Sequence, residues 1–182
     1  FVVEDFVGEI EPGYDGFVVD GEYPSWAMYG YERKGIGYVA KVCRYNELPN
    51  AIKIVNDKLK LVFKKLAPNR TFFSTEIRVD KKGTPYLIDP CVRAPMPVPS
   101  AIHLEIWQNI SDFIINAAYG KMIELKPKAR YGVGISFESS WADEHWVALP
   151  EAIRNPKVRP FVKLRMACMI DGKYYALPGF SS

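Results

Sequence analysis

Glu76 and Asp89 have the residue types and the spacing for shared chemistry. They lie on the two arms of a segment, Thr71 to Pro90, that turns at Asp80-Lys81-Lys82-Gly83. Side chains alternate faces along a strand, and opposed residues share a face. With Lys82-Gly83 at the tip, Glu76 falls directly opposite Asp89. With Lys81-Lys82 at the tip, Glu76 faces Leu87 and Asp89 lies one diagonal away. Either register brings both carboxylates within reach of one cation. Two such groups repel unless positive charge sits between them. Magnesium takes one or two carboxylates plus phosphate oxygens, so the pair suits a metal–nucleotide site. The competing arrangement puts both acids on the solvent face, paired with Arg78 or Lys81.

Cys91 and Arg93 continue the same parity along the second arm. A guanidinium matches carboxylate and phosphate geometry, so Arg93 suits an acyl-acceptor substrate or an acyl-phosphate; its alternative is an ion pair with Asp89 or Glu76. Arg33 and Lys34, between Gly30 and Gly35, read either as a loop that closes on triphosphate or as a solvated hairpin tip. His103 reads as a surface helix residue, and His145 as part of a turn with packed tryptophans. Cys43 and Cys168 sit in apolar contexts and read as small buried hydrophobes.

These residues need elements to position them. Residues 1–7 look like a strand. Residues 16–28 read as a hairpin turning at Asp20-Gly21. Residues 30–37 read as a glycine-punctuated loop and 38–44 as a strand. Ile52, Val55, Leu59, Val62 and Leu66 recur at helical spacing, which predicts a helix over 50–66 ended by Pro68 and Asn69. After the hairpin 71–90, residues 91–99 are proline-rich and extended. A second helix is expected from Ser100 as N-cap to Tyr119, with Gly120 closing it. The tail, 131–182, reads as mostly strand, over Gly132–Phe137, Trp146–Leu149, Val158–Met169 and Lys173–Leu177, with Asp171-Gly172 as a turn. Strands and hairpins with two principal helices make the class α+β.

The chain has 182 residues, 48% hydrophobic and 25% charged, which is ordinary for a globular protein. A net charge of +3 gives no basic footprint for nucleic acid. No apolar run is long enough to span a membrane, so no membrane partner is expected. Three scattered cysteines form neither a disulfide framework nor a zinc motif, and reduced thiols suggest a cytoplasmic protein.

The run from Phe73 to Arg93 resembles the metal-binding hairpin of ATP-grasp enzymes such as glycinamide ribonucleotide synthetase, D-alanine–D-alanine ligase and biotin carboxylase. Asp89 stands at the family's glutamate position, Cys91 at its metal-binding asparagine and Arg93 at its arginine. Val3-Glu4-Asp5-Phe6-Val7-Gly8-Glu9-Ile10-Glu11 is similar to the family's adenine-hinge strand. The resemblance implies that Glu4, Asp5, Phe6 and Val7 meet the adenine edge and Glu11 the ribose. It implies ATP and magnesium as cofactors, with Glu76, Asp89 and Cys91 as metal ligands and Arg93 and Lys34 as catalytic cations. Its partners are then ATP and a small carboxylate–amine pair, and it allows a homodimer.

The activity implied is ATP-dependent carboxylate–amine ligation through an acyl-phosphate. The alternative is a catalytically degenerate binding or assembly module, since Cys91 and Ser74 replace family residues. A third reading, an aromatic-rich domain binding a polymer, rests only on eleven Tyr and four Trp. The resemblance covers residues 1–137, the expected C-terminal part of an ATP-grasp domain, with 138–182 a β-rich extension packed on it. The family's N-terminal domain and lysine-bearing subdomain have no counterpart, so the chain reads as a fragment not expected to be active alone.

Overall fold

The computed structural model describes residues 6–7, 11–33, 36–95, 98–137 and 139–179. The chain divides into two compact units, Phe1–Ser136 and Phe137–Ser182.

The first unit is built on a six-stranded antiparallel sheet. Its strands are β1 (Pro12–Val19), β2 (Trp26–Arg33), β3 (Gly37–Arg44), β4 (Arg70–Val79), β5 (Pro85–Cys91) and β6 (Tyr131–Ile135). Their order across the sheet is β5-β4-β1-β2-β3-β6. Helix α1 (Asn50–Lys65) packs across β1, β4 and β5, and α2 (Val98–Ile106) across β3 and β6. The third helix, α3 (Ile110–Ala118), packs on β4.

Strand alternation divides the core into two clusters, one on each face. Tyr14, Val18, Phe73 and Ile77 pack with Ile52, Val55 and Phe63 of α1. Phe17, Met28, Ala40 and Val42 pack with Ile102, Ile106 and Phe113 of α2 and α3. Each such side chain, fully buried, contributes roughly 1.5–3 kcal/mol.

The Asp20-Gly21 turn is present. Val19 and Glu22 exchange both backbone hydrogen bonds, at 2.9 and 3.0 Å, and the two turn residues have φ of 49° and 80°. The returning strand starts only at Trp26, past Pro24, which has no N–H to donate. Most of β1 pairs instead with β4, from Gly13↔Glu76 to Val19↔Arg70. The expected loop over 30–37 is mostly strand. Gly30 sits inside β2 because the Tyr38 ring lies over it, with Cζ 2.5 Å from where a Cβ would stand.

The single helix expected over 100–119 is two helices. Residues 124–128 cross the chain at Trp107–Asn109 and take its backbone groups. Gln108 N–H donates to Lys126 O at 2.8 Å and Lys128 N–H to Ile106 O at 2.8 Å. The Asn109 side chain binds Glu124 O and Lys126 N–H, both at 2.9 Å. Ser100 lies within α2, which begins at Val98, and its hydroxyl donates to Pro95 O rather than capping. Gly120 ends α3 at φ 76°, as expected.

The second unit holds a short helix α4 (Ser140–Glu144) and strands β7 (Val147–Ala148), β8 (Ala167–Ile170) and β9 (Lys173–Ala176), in sheet order β7-β9-β8. Asp171-Gly172 turns β8 into β9, with φ of 46° and 75°. The strand expected over Val158–Met169 is confined to its end. Pro156 and Pro160 remove donors, and 3-10 turns at Glu151–Arg154 and Arg159–Phe161 occupy that stretch. No helix among the described residues is long and apolar enough to cross a membrane.

Candidate active site

The β4–β5 hairpin is pinned at its tip by Asp80. One carboxylate oxygen accepts the N–H groups of Lys82 and Thr84, both at 2.8 Å, and Gly83 takes φ 83°. These bonds hold the Asp80 carboxyl below the usual carboxylate range. From this tip the ladder runs Val79↔Pro85, Arg78↔Tyr86, Ile77↔Leu87. Continued unbroken, it would set Glu76 against Ile88 and turn Asp89 to the other face. A bulge between Glu76 and Ile77 absorbs one residue, and beyond it Glu76 lies directly opposite Asp89 and Ser74 opposite Cys91. The two acids therefore meet, but through a register that is neither of the two regular ones.

Glu76 shares the α2-side face of the sheet with a cleft floored by Gly13, Asp15, Gly30, Glu32 and Tyr38. The cleft is narrow, with a cavity volume of about 50 Å³. At Gly30 the missing side chain is replaced by the Tyr38 ring, and at Gly13 the backbone lies close to Thr75 O. Ser74, Cys91, Arg93 and Pro99 form its walls. Glu11 also lines it, and Arg78 grips Glu11 Oε2 from Nε at 3.2 Å and from Nη2 at 2.8 Å. The same guanidinium lies 5.2 Å from the Phe6 ring centroid.

At the cleft floor the Tyr38 hydroxyl reaches over Gly30 and donates to Asp15 Oδ2. Asp15 is 5% exposed. Burial pushes its carboxyl up to about 7, Tyr38 pulls it down, and the charges of Glu32 and Glu76 push it further up. The Tyr38 hydroxyl is raised well above its ordinary value by burial and by Asp15.

The candidates fall out as follows. Glu76, Glu11 and Arg93 line the cleft, whereas Asp89 is exposed on the edge strand β5. Cys91 donates its S–H to Asp89 Oδ2 at 3.1 Å; burial and Asp89 push its thiol up, which keeps it protonated. No group of three or more His, Cys, Asp or Glu side chains able to hold a metal forms among the described residues. Arg93 Nη1 donates to Ala94 O at 3.2 Å. Phe6 is 77% exposed and Val7 half-buried. Glu4, Asp5 and Lys34 lie outside the described residues.

Arg78, one of the partners that the competing arrangement gave to Glu76 and Asp89, grips Glu11. His103 is not a surface residue. It is 1% exposed between Phe17, Phe72 and Trp107, and burial pushes its imidazole down to about 3. Sequence reading missed Asp15, Glu32 and Tyr38. A signal existed for the first: Asp15 has the inward parity of Phe17 and Val19 in a strand with no solvent face.

No protein-family profile matches the chain, and no curated protein sequence matches it. Among solved structures it is similar to the L-amino acid ligase from Bacillus licheniformis, with a TM-score of 0.50 and 19% identity. The likeness covers 82% of this chain and 41% of that one, so the chain spans less than half of that ligase's length. At this identity the likeness carries the fold, an α+β, ATP-grasp-like antiparallel sheet with helices on it.

Proposed function

We propose that the chain is part of an ATP-dependent carboxylate–amine ligase whose nucleotide and metal meet at the β4–β5 hairpin. The observation that carries this is the opposition of Glu76 and Asp89 beside a cleft that Glu11 and Arg93 also line. Two carboxylates suit magnesium, which completes its shell with phosphate oxygens. Glu76 and Asp89 would hold it, and Cys91, spent on Asp89, would orient that carboxylate rather than ligate, since a neutral thiol is a poor ligand for a hard cation. Bound there, the metal neutralises charge on the transferring phosphate.

The chain's own residues do the rest. Arg93 stands where its guanidinium can steady an acyl-phosphate. The edge formed by Phe6 and Val7, with Glu4 and Asp5, would meet the adenine, and Glu11 the ribose, once Arg78 yields it. Lys34 would add a further cation over the phosphates. ATP and a small carboxylate–amine pair are then the partners. The likeness to an L-amino acid ligase supports amino acids as that pair.

Calorimetry with Mg-ATP tests this reading. The full-length protein of which this chain is part is expected to bind, and Glu76→Gln with Asp89→Asn to weaken binding about tenfold or more, the loss of two charge-assisted contacts. Unchanged binding in the double variant removes the assigned site. A second reading, a binding or assembly module without turnover, draws on Cys91, which is tied to Asp89 where a third ligand would be needed. It predicts that the full-length protein does not bind Mg-ATP at all.

A further inference from the structure

Among the described residues Asp15 has no counter-charge in the cleft. Its Oδ2 accepts from Tyr38, and its other oxygen has no hydrogen-bond partner among the described residues. Among the described residues, the strands beside it bring acidic or neutral side chains into the cleft. Glu32 comes from β2, Tyr38 from β3 and Glu76 from β4; Asp89 and Cys91 lie beyond on β5. The two nearby cations are engaged, Arg78 with Glu11 and Arg93 with Ala94 O. A buried carboxyl left this way lacks a cation.

A buried unsatisfied atom lies on His103, one helical turn from the cleft wall at Pro99. An indole nitrogen only donates, so Trp107 Nε1–H gives its proton to His103 Nδ1 at 2.9 Å. The neutral ring then carries its own proton on Nε2, which is buried without a partner and faces away from Trp107. His103 packs on Phe17 and Phe72, whose next same-face neighbours are Asp15 and Ser74.

We propose that Asp15, held by Tyr38 across Gly30, receives the ammonium group of the amino-acid substrate. This rests on the ligase reading and names the residue that selects its amine. One buried carboxyl with one open oxygen offers too few donors for a second metal, and among the described residues no three-donor metal group includes it. It matches a single N–H donor group well.

The test uses the full-length ligase of which this chain is part, with Mg-ATP and the standard L-amino acids in pairs, and with hydroxylamine as a neutral acceptor in parallel. The wild type is expected to give both amide and hydroxamate. Asp15→Asn is isosteric and can still accept from Tyr38. It should raise KM for the amino-acid acceptor and lower the amide-to-hydroxamate ratio about tenfold or more. Tyr38→Phe, which frees the carboxyl to turn, should lower the ratio less. An unchanged ratio in Asp15→Asn overturns the proposal. So does a shift in magnesium dependence without a change in acceptor KM, which would make Asp15 a metal ligand. A wild type that gives neither product removes the ligase reading and this inference with it.

Discussion

Asp15 and His103 carry opposite linkages to pH within one fold. The Asp15 carboxyl moves from 3.8 to about 7 on folding, so its contribution to stability is present below 3.8 and is lost as pH rises through about 7. The His103 imidazole moves from 6.5 to about 3, so its contribution is present above 6.5 and is lost as pH falls through about 3. Between those limits the two slopes oppose each other, each about 1.4 kcal/mol per pH unit. Urea unfolding of the wild type from pH 4 to 6.5 is therefore expected to show little slope from this pair. Asp15→Asn should uncover stability that rises with pH, and His103→Gln stability that falls. Parallel slopes in the two variants would contradict the assignment. Neither burial was legible from single residues. His103 lies on a helix with Glu105, and only the tertiary packing of Phe17 and Phe72 against it shows which way it faces.

At the scale of elements, local signals were read well and long-range ones were not. The periodicity of α1 and the Asp-Gly and Asp-Lys-Lys-Gly turns each reside within a few residues, and the structure has all three. The break between α2 and α3 has its cause at Glu124–Lys128, which no window around Asn109 contains. Asn109→Ala removes both side-chain bonds and leaves a carbonyl and an N–H to find water. It should cost about 1–2 kcal/mol in urea unfolding. In β2, Gly30→Ala would place a methyl 2.3 Å from Val39 O and 2.6 Å from the Tyr38 hydroxyl. That should cost about 1–3 kcal/mol and release Tyr38 from Asp15, read as a loss of tyrosine protection in ultraviolet titration. The acid pair was legible only in part: parity from the actual turn sends Asp89 to the other face, and the bulge that brings it back to Glu76 leaves no signal in the local sequence. Asp15 was missed, because its partner Tyr38 arrives from two strands away.

At the scale of the whole molecule, both hydrophobic clusters consist of residues from the first unit. A chain ending at Ser136 keeps all of them. It is expected to unfold in urea in one cooperative transition; a gradual loss of signal would show that the first unit does not hold its core by itself. The α+β class was readable from the alternation of hairpins and helices. The tail was read as more strand than it is, since its apolar runs are interrupted by prolines whose effect depends on which N–H the sheet would have used.

The bulge at Ile88 changes how the distance between the two acids should be counted. Ile88 is the surplus residue on β5, 45% exposed and without an opposite number. Deleting it would restore an even ladder and leave Asp89 on the same rung as Glu76, so Mg-ATP affinity should stay within about threefold. What such a hairpin must preserve is the shared rung. Relatives whose acids stand one residue closer in sequence can build the same pair, and a search by fixed spacing would pass over them.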